Sequence, residues 1–311
     1  MILFLAVIID FLIGDPVYPY HPIRIMGRII RCEEKFVRAY SDSNRELFWG
    51  GLFMLLFNLA IASGVVNLVL FFSNRILYTI ISVYLIYSSI AARDLIKSAN
   101  RVKLALHGPI EDARHALSMI VGRDTTKLNR EEIVRATVET VAENTSDGII
   151  APLFYIFLLG PAGGMMYKFV NTMDSTIGYR DERYEYLGKA AAIFDDVVNF
   201  IPARITGLLF VAGAFILGYD YKNAFDIMIR DASKHASPNA GYPEAAVAGM
   251  LNVRLGGPST YHGVMEQKAY LGDDNRTIEM EDITRANRIA ILSEIIFVLC
   301  IIIIKIFWRL K

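Results

Sequence analysis

ENTSDGIIAPLFYIFLLGPAGGMMYKFVNTMDSTIGYRDERYEYLGKAAAIFDDVVNFIPAR, residues 143–204, alternates carboxylates and amides with runs apolar enough for a bilayer. Ionisable groups are expensive beside membrane helices and persist there for a purpose, so the stretch predicts a site within or at the surface of a membrane. A second polar block, DASKHASPNAGYPEAAVAG at 231–249, belongs with it. Together they predict an enzyme that handles an anionic, phosphorylated substrate.

The whole chain fits that setting. Of 311 residues, 54% are hydrophobic and only 21% charged, too oily for an average soluble domain and too charged for a plain helix bundle. Lys plus Arg equals Asp plus Glu at 32 each, so no global field favours nucleic acid. Cys32 and Cys300 lie far apart in unlike surroundings and predict neither a disulfide nor a cysteine metal site.

Apolar runs at 49–72, 76–92, 149–170, 197–218 and 289–308 approach the roughly 20 residues that cross the hydrocarbon. Residues 1–13 are shorter and carry Asp10; with no basic start and no small-residue cleavage site, they read as a retained first helix rather than a signal peptide. The fold expected is all-α: a polytopic integral membrane protein of five to six membrane helices, some broken or re-entrant, with amphipathic cytoplasmic helices, forming one domain over 1–311. Arg24, Arg28, Arg31, Lys35 and Arg38, and then Arg93, Lys97, Arg101 and Lys103, place two loops on the cytoplasmic side. A full crossing at 149–170 would then separate Asn171–Asp196 from Glu143 and Asp147. Pro152, Pro161 and the glycines at 160–164 suggest instead a re-entrant or deeply broken segment. Residues 94–147 read as amphipathic helices with a break at Gly108-Pro109 and a fresh start at Asn129, where Glu132 completes a capping box.

The chemistry lies in the polar blocks. Glu139, Glu143 and Asp147 recur every fourth residue, either as a divalent-ion face or as a solvated acidic helix end, with Asn144 adding a neutral contact. Asp195 and Asp196 repel unless a cation lies between them; Asn199 follows one turn on, and the Arg204 fork suits phosphate oxygens. Asn171 and Asp174 repeat the theme upstream, and Arg180 and Lys189 offer further phosphate contacts. Asp231 and His235, four apart, would share a helix face on which the carboxylate orients the imidazole for proton transfer, beside Lys234. Asn239 lies in the turn that follows, and Glu244 opens a small-residue helix. Arg24, beside His21 in a Pro-rich elbow, is an anion contact. Leu255-Gly256-Gly257-Pro258 is a tight loop. No P-loop pattern is present, so nucleotide binding must use other means.

GDPVYPYHPIR, AENTSDGIIAPLFY, NTMDSTIGYRDERYEYLGKAAAIFDDVVNFIPAR, DASKHASPNAGYPEAAVAGMLNVRLGGP and Tyr261–Gly263 together resemble the adenosylcobinamide-phosphate synthase family of cobalamin biosynthesis (CobD/CbiB). The resemblance runs from Leu12 to Gly263 in the family's order. AmpE-type membrane sensors share the architecture more distantly. The resemblance implies an integral-membrane, ATP- and magnesium-dependent ligase. It would join adenosylcobyric acid, through a propionate carboxylate, to (R)-1-aminopropan-2-ol or its O-phosphate, giving adenosylcobinamide or its phosphate. Residue chemistry, rather than the resemblance, assigns the roles: Glu143, Asp147, Asp174, Asp195 and Asp196 would hold magnesium. Arg24, Asn144, Asn171, Arg180, Lys189, Asn199, Arg204, Lys234 and Asn239 contact substrate and phosphates, and His235, Asp231 and Glu244 move the proton. The corrinoid is a substrate, the bilayer a partner, and further copies or other pathway enzymes possible partners; the site would face the cytoplasm from the cell membrane. Two other readings are a membrane prenyltransferase, suggested by DDVVN, and a non-catalytic sensor.

Overall fold

The computed structural model describes residues 1–309 apart from Asp15, Val17, Arg180 and His262. In chain order its helices are α1 (Ile2–Ile13), α2 (Pro22–Ala39), α3 (Asn44–Phe71), α4 (Arg75–Tyr87), α5 (Ala92–Ala105) and α6 (Ile110–Ser118). Then come α7 (Arg130–Thr145), α8 (Ala151–Ile177), α9 (Lys189–Leu217), α10 (Tyr221–Asp231), α11 (Gly241–Leu251) and α12 (Met280–Arg309). Two short antiparallel ribbons interrupt the last third: β1 (Leu255–Gly256) with β4 (Tyr270–Leu271), and β2 (Ser259–Tyr261) with β3 (Val264–Glu266). Sequence periodicity did not reveal these, because two- and three-residue strands carry too little alternation to register. Five helical stretches among the described residues are long and apolar enough to cross a membrane, as expected. The chain packs as two discontinuous compact units, one of residues 1–91 with 151–199, the other of 92–150 with 200–311.

In the first unit α1 packs on α4, and α8 packs on α2, α3 and α4. Its core joins Met26 and Ile30 of α2, Met54 and Leu55 of α3, and Phe169, Val170 and Met173 of α8. α3 begins with a capping box at Ser43 and Glu46, which satisfies two otherwise orphaned N–H groups. α8 is not one rod. Gly160 takes φ 67° and ψ −158°, open only to glycine, and Pro161 starts the next segment. The arms then fold back: the Tyr155 and Tyr167 rings stack 5.5 Å apart, and a Cβ on Gly163 would lie 2.3 Å from the Tyr155 carbonyl oxygen. The break at Gly160 and Pro161 falls where the prolines and glycines predicted one.

In the second unit α10 packs on α11, and α7 is flanked by α5, α6, α11 and α12. Asn129 caps α7 as expected, accepting from the Glu132 N–H while Glu132 accepts from the Asn129 N–H. Small residues let helices approach: a Cβ on Gly249 would lie 2.4 Å from the Asn223 carbonyl oxygen. α7 then widens into a π-helical turn at Ser146–Ile150.

Candidate functional site

Each unit gathers its own polar cluster. In the first, α8 and α9 supply it. Pro202 lacks an N–H, so the Val198 carbonyl one turn back loses its helical donor, and the Tyr155 hydroxyl donates to it instead at 2.9 Å. The buried Asn199 accepts from the Tyr167 hydroxyl at 2.9 Å and donates to Asp195 Oδ2 at 2.8 Å. Asn171 and Asp174 approach the same Asp195 carboxylate closely enough to interact with it. Asn171, Asp174, Asp195 and Asn199 are thus brought together, with Asp196 adjacent.

Among the described residues no three His, Cys, Asp or Glu side chains converge as a metal cluster. Magnesium needs fewer: it is commonly held by one or two carboxylates while substrate phosphates and water complete an octahedron. Asp174 and Asp195 with two amides have the hard-oxygen character that suits it.

The second cluster is built on α7, α11 and the loops around them. Arg123 donates to Glu139 Oε2 at 2.7 Å, and the Gly256 N–H donates to Glu139 Oε1 at 2.7 Å. Burial acts to lower the Arg123 pKa, but Glu139, with Tyr261 and Glu244, offsets it and leaves the pKa raised. His235 Nε2 lies 3.8 Å from Glu244 Oε2. His235 Nδ1 lies 3.0 Å from the Ser237 N–H and 3.3 Å from its carbonyl oxygen, so the ring can carry its hydrogen on either nitrogen. Burial foremost, with Lys268 and Arg123 nearby, holds the His235 pKa below its ordinary value. Burial also raises Glu244 well above the usual carboxylate range, and the neighbouring Glu139 and Glu143 push it further. Glu139 and Glu244 are buried, whereas Glu143 is open to solvent. Lys268 donates to the Tyr261 hydroxyl and lies over its ring. The result is three carboxylates, an arginine, a lysine and a neutral histidine close enough to interact, an arrangement suited to proton exchange.

Several expected pairings differ. Asp231 does not orient His235: α10 ends at Asp231, a 3-10 turn follows, and His235 is extended, so the two share no helix face. Asp231 instead accepts from Arg230, Lys234 and the Gly272 N–H, which lower its pKa against the effect of burial. That contact also accounts for Lys234. Asp147 falls on the π-helical turn, out of the α-helical register of Glu139 and Glu143. Arg204 stacks between the Phe200 and Tyr242 rings, and donates to the Phe200 and Pro238 carbonyls and to Asn239 Oδ1. Asn144 donates back to the Thr140 carbonyl of its own helix. Arg24 and Lys189 are exposed, and Arg180 lies outside the described residues. Arg123, in the loop just before α7, and Tyr261 and Lys268, far beyond it in the chain, were given no site role, since nothing in their local sequence marks them as members of the cluster around Glu139.

The fold and the two clusters define a polytopic helical membrane protein with an enzyme-like acid–base cluster. The CobD/Cbib protein family model matches residues 3–290, and the chain belongs to that family. It is similar to cobalamin biosynthesis protein CobD of Clostridium perfringens, 45% identical over 285 residues, covering 91% of this chain and 90% of that one. The CobD proteins of Streptococcus sanguinis and Klebsiella pneumoniae are each 44% identical, with the same 91% and 90% coverage. No solved structure matches the chain.

Proposed function

We propose that this chain acts in cobalamin biosynthesis as an ATP-dependent acid–amine ligase, adenosylcobinamide-phosphate synthase. The observation that carries the reading is the His235–Glu244 pair set beside Arg123, Glu139, Glu143 and Lys268, in a chain of this family. A carboxylate is a poor acyl donor. ATP therefore phosphorylates the propionate of adenosylcobyric acid, ADP leaves, and the amine of (R)-1-aminopropan-2-ol or its O-phosphate displaces phosphate from the acyl carbon to form the amide. Attack leaves an extra proton on nitrogen. His235 Nε2 takes it in the tautomer whose Nδ1–H donates to the Ser237 carbonyl oxygen at 3.3 Å, with Glu244 3.8 Å from Nε2. Lys268 supplies positive charge for phosphoryl oxygens. Asp174 and Asp195 would hold magnesium, which offsets phosphate charge when bound. The basic segments 24–38 and 93–103 support a cell-membrane enzyme whose site faces the cytoplasm.

His235→Gln tests the proton role. Its kcat should fall about 100-fold with the ATP KM little changed, and wild-type kcat in a folded variant would refute it.

A further inference from the structure

α2 presents three faces. At about 100° per residue, Met26, Gly27, Ile30 and Glu34 point into the first unit, while Arg24, Arg28, Arg31 and Lys35 fall within roughly a 60° sector on the exposed side. Next to that basic stripe runs a third, exposed and largely apolar one: Ile25, Cys32 and Phe36. The acids of the helix are engaged elsewhere. Glu34 pairs with Arg38 and Arg183 at 3.0 Å each, and Glu33 accepts from Asn58 at 2.7 Å. Among the described residues no carboxylate is paired with Arg24, Arg28, Arg31 or Lys35.

We propose that α2 lies in the membrane surface with its Ile25–Phe36 stripe at the acyl boundary and its four cations on the phosphates of anionic lipid headgroups. The chemistry is complementary on both counts. An amphipathic helix with neighbouring apolar and basic stripes sinks its apolar side to the headgroup boundary, and long basic side chains reach sideways to lipid phosphates. Each basic residue held at an anionic surface adds to that attraction. The neighbouring helices fix the location, since α2 runs directly into α3, one of the membrane-length helices of the same unit. Four unpaired cations in one sector favour lipid over a second copy of this chain, whose identical stripe would repel them.

The native Cys32 reports on this stripe. In a Cys300→Ser background, the full-length protein is placed in nanodiscs of phosphatidylcholine alone or with roughly a third phosphatidylglycerol, and alkylation of Cys32 by an uncharged polyethylene-glycol maleimide is timed. A cysteine placed at the exposed Ser118, in the other unit, corrects for general surface effects. Cys32 should react at least about five-fold more slowly in the anionic discs. That protection should be lost at high salt and in the Arg28→Gln/Arg31→Gln/Lys35→Gln variant. Equal rates in the two lipids would overturn the proposal, as would protection that ignores salt and persists in the variant, which would mark a protein contact instead.

Discussion

Tyr155 and Tyr167 stack with ring centroids 5.5 Å apart and planes within 10° of parallel, although both belong to α8. In a straight helix i and i+12 would stand about 18 Å apart. The stack therefore exists only because Gly160 reverses the chain, and it aims the Tyr155 hydroxyl at the Val198 carbonyl and the Tyr167 hydroxyl at Asn199. The hairpin thus shapes the Asp195 site.

Gly160→Ala should lower thermal stability by roughly 1–3 kcal/mol, because alanine cannot adopt its backbone conformation without strain. Cysteines at 155 and 167 should be joined by a bismaleimide too short to span 18 Å. Absence of that crosslink would mean α8 is extended.

Glu139 is buried and pairs with Arg123 at 2.7 Å. Arg123→Ala should destabilise the protein by about 3–5 kcal/mol, since it strands a buried carboxylate. Adding Glu139→Gln should recover much of the loss in a thermal melt. Equal melting of wild type and Arg123→Ala would show that the pair carries no such role.

Burial, Glu139 and Glu143 raise the Glu244 pKa in the fold. The folded state then holds a proton that the unfolded chain has lost above about pH 4.5, so this group's contribution to stability falls as pH rises through that window. Glu244→Gln removes the titration. Its melting temperature relative to wild type should climb from pH 5 to pH 8; a constant difference would mean Glu244 is charged in the fold.

How much of this was legible in the sequence follows from how local each signal is. The Asn129 capping box, the membrane-length helices and the break at Gly160 depend on nearby residues, and each appears where the sequence placed it. The Gly256-Gly257 turn is also local: both residues have positive φ, and a Cβ on Gly256 would lie 2.3 Å from the Ala269 carbonyl oxygen. The Asp231–His235 pairing assumed a helix that ends at Asp231. Gly256 meets Glu139 from 117 residues away and Arg123 reaches it from the loop before α7, contacts for which neither periodicity nor spacing holds a signal.

Asp195→Asn keeps the size of the side chain beside Asn199 while removing its charge. It should raise the magnesium concentration needed for half-maximal turnover at least ~10-fold and leave the fold intact. An unchanged magnesium dependence would remove Asp195 from the metal site.

The ligase reading itself is tested most directly by turnover of the purified protein in detergent with adenosylcobyric acid, magnesium-ATP and aminopropanol or its O-phosphate, reading the corrinoid by mass. The account predicts a mass gain matching the aminopropanol or aminopropanol-phosphate amide, formed only with ATP present. No amide with either amine would contradict it, and release of diphosphate from an isoprenoid donor by the same preparation would identify a prenyltransferase instead.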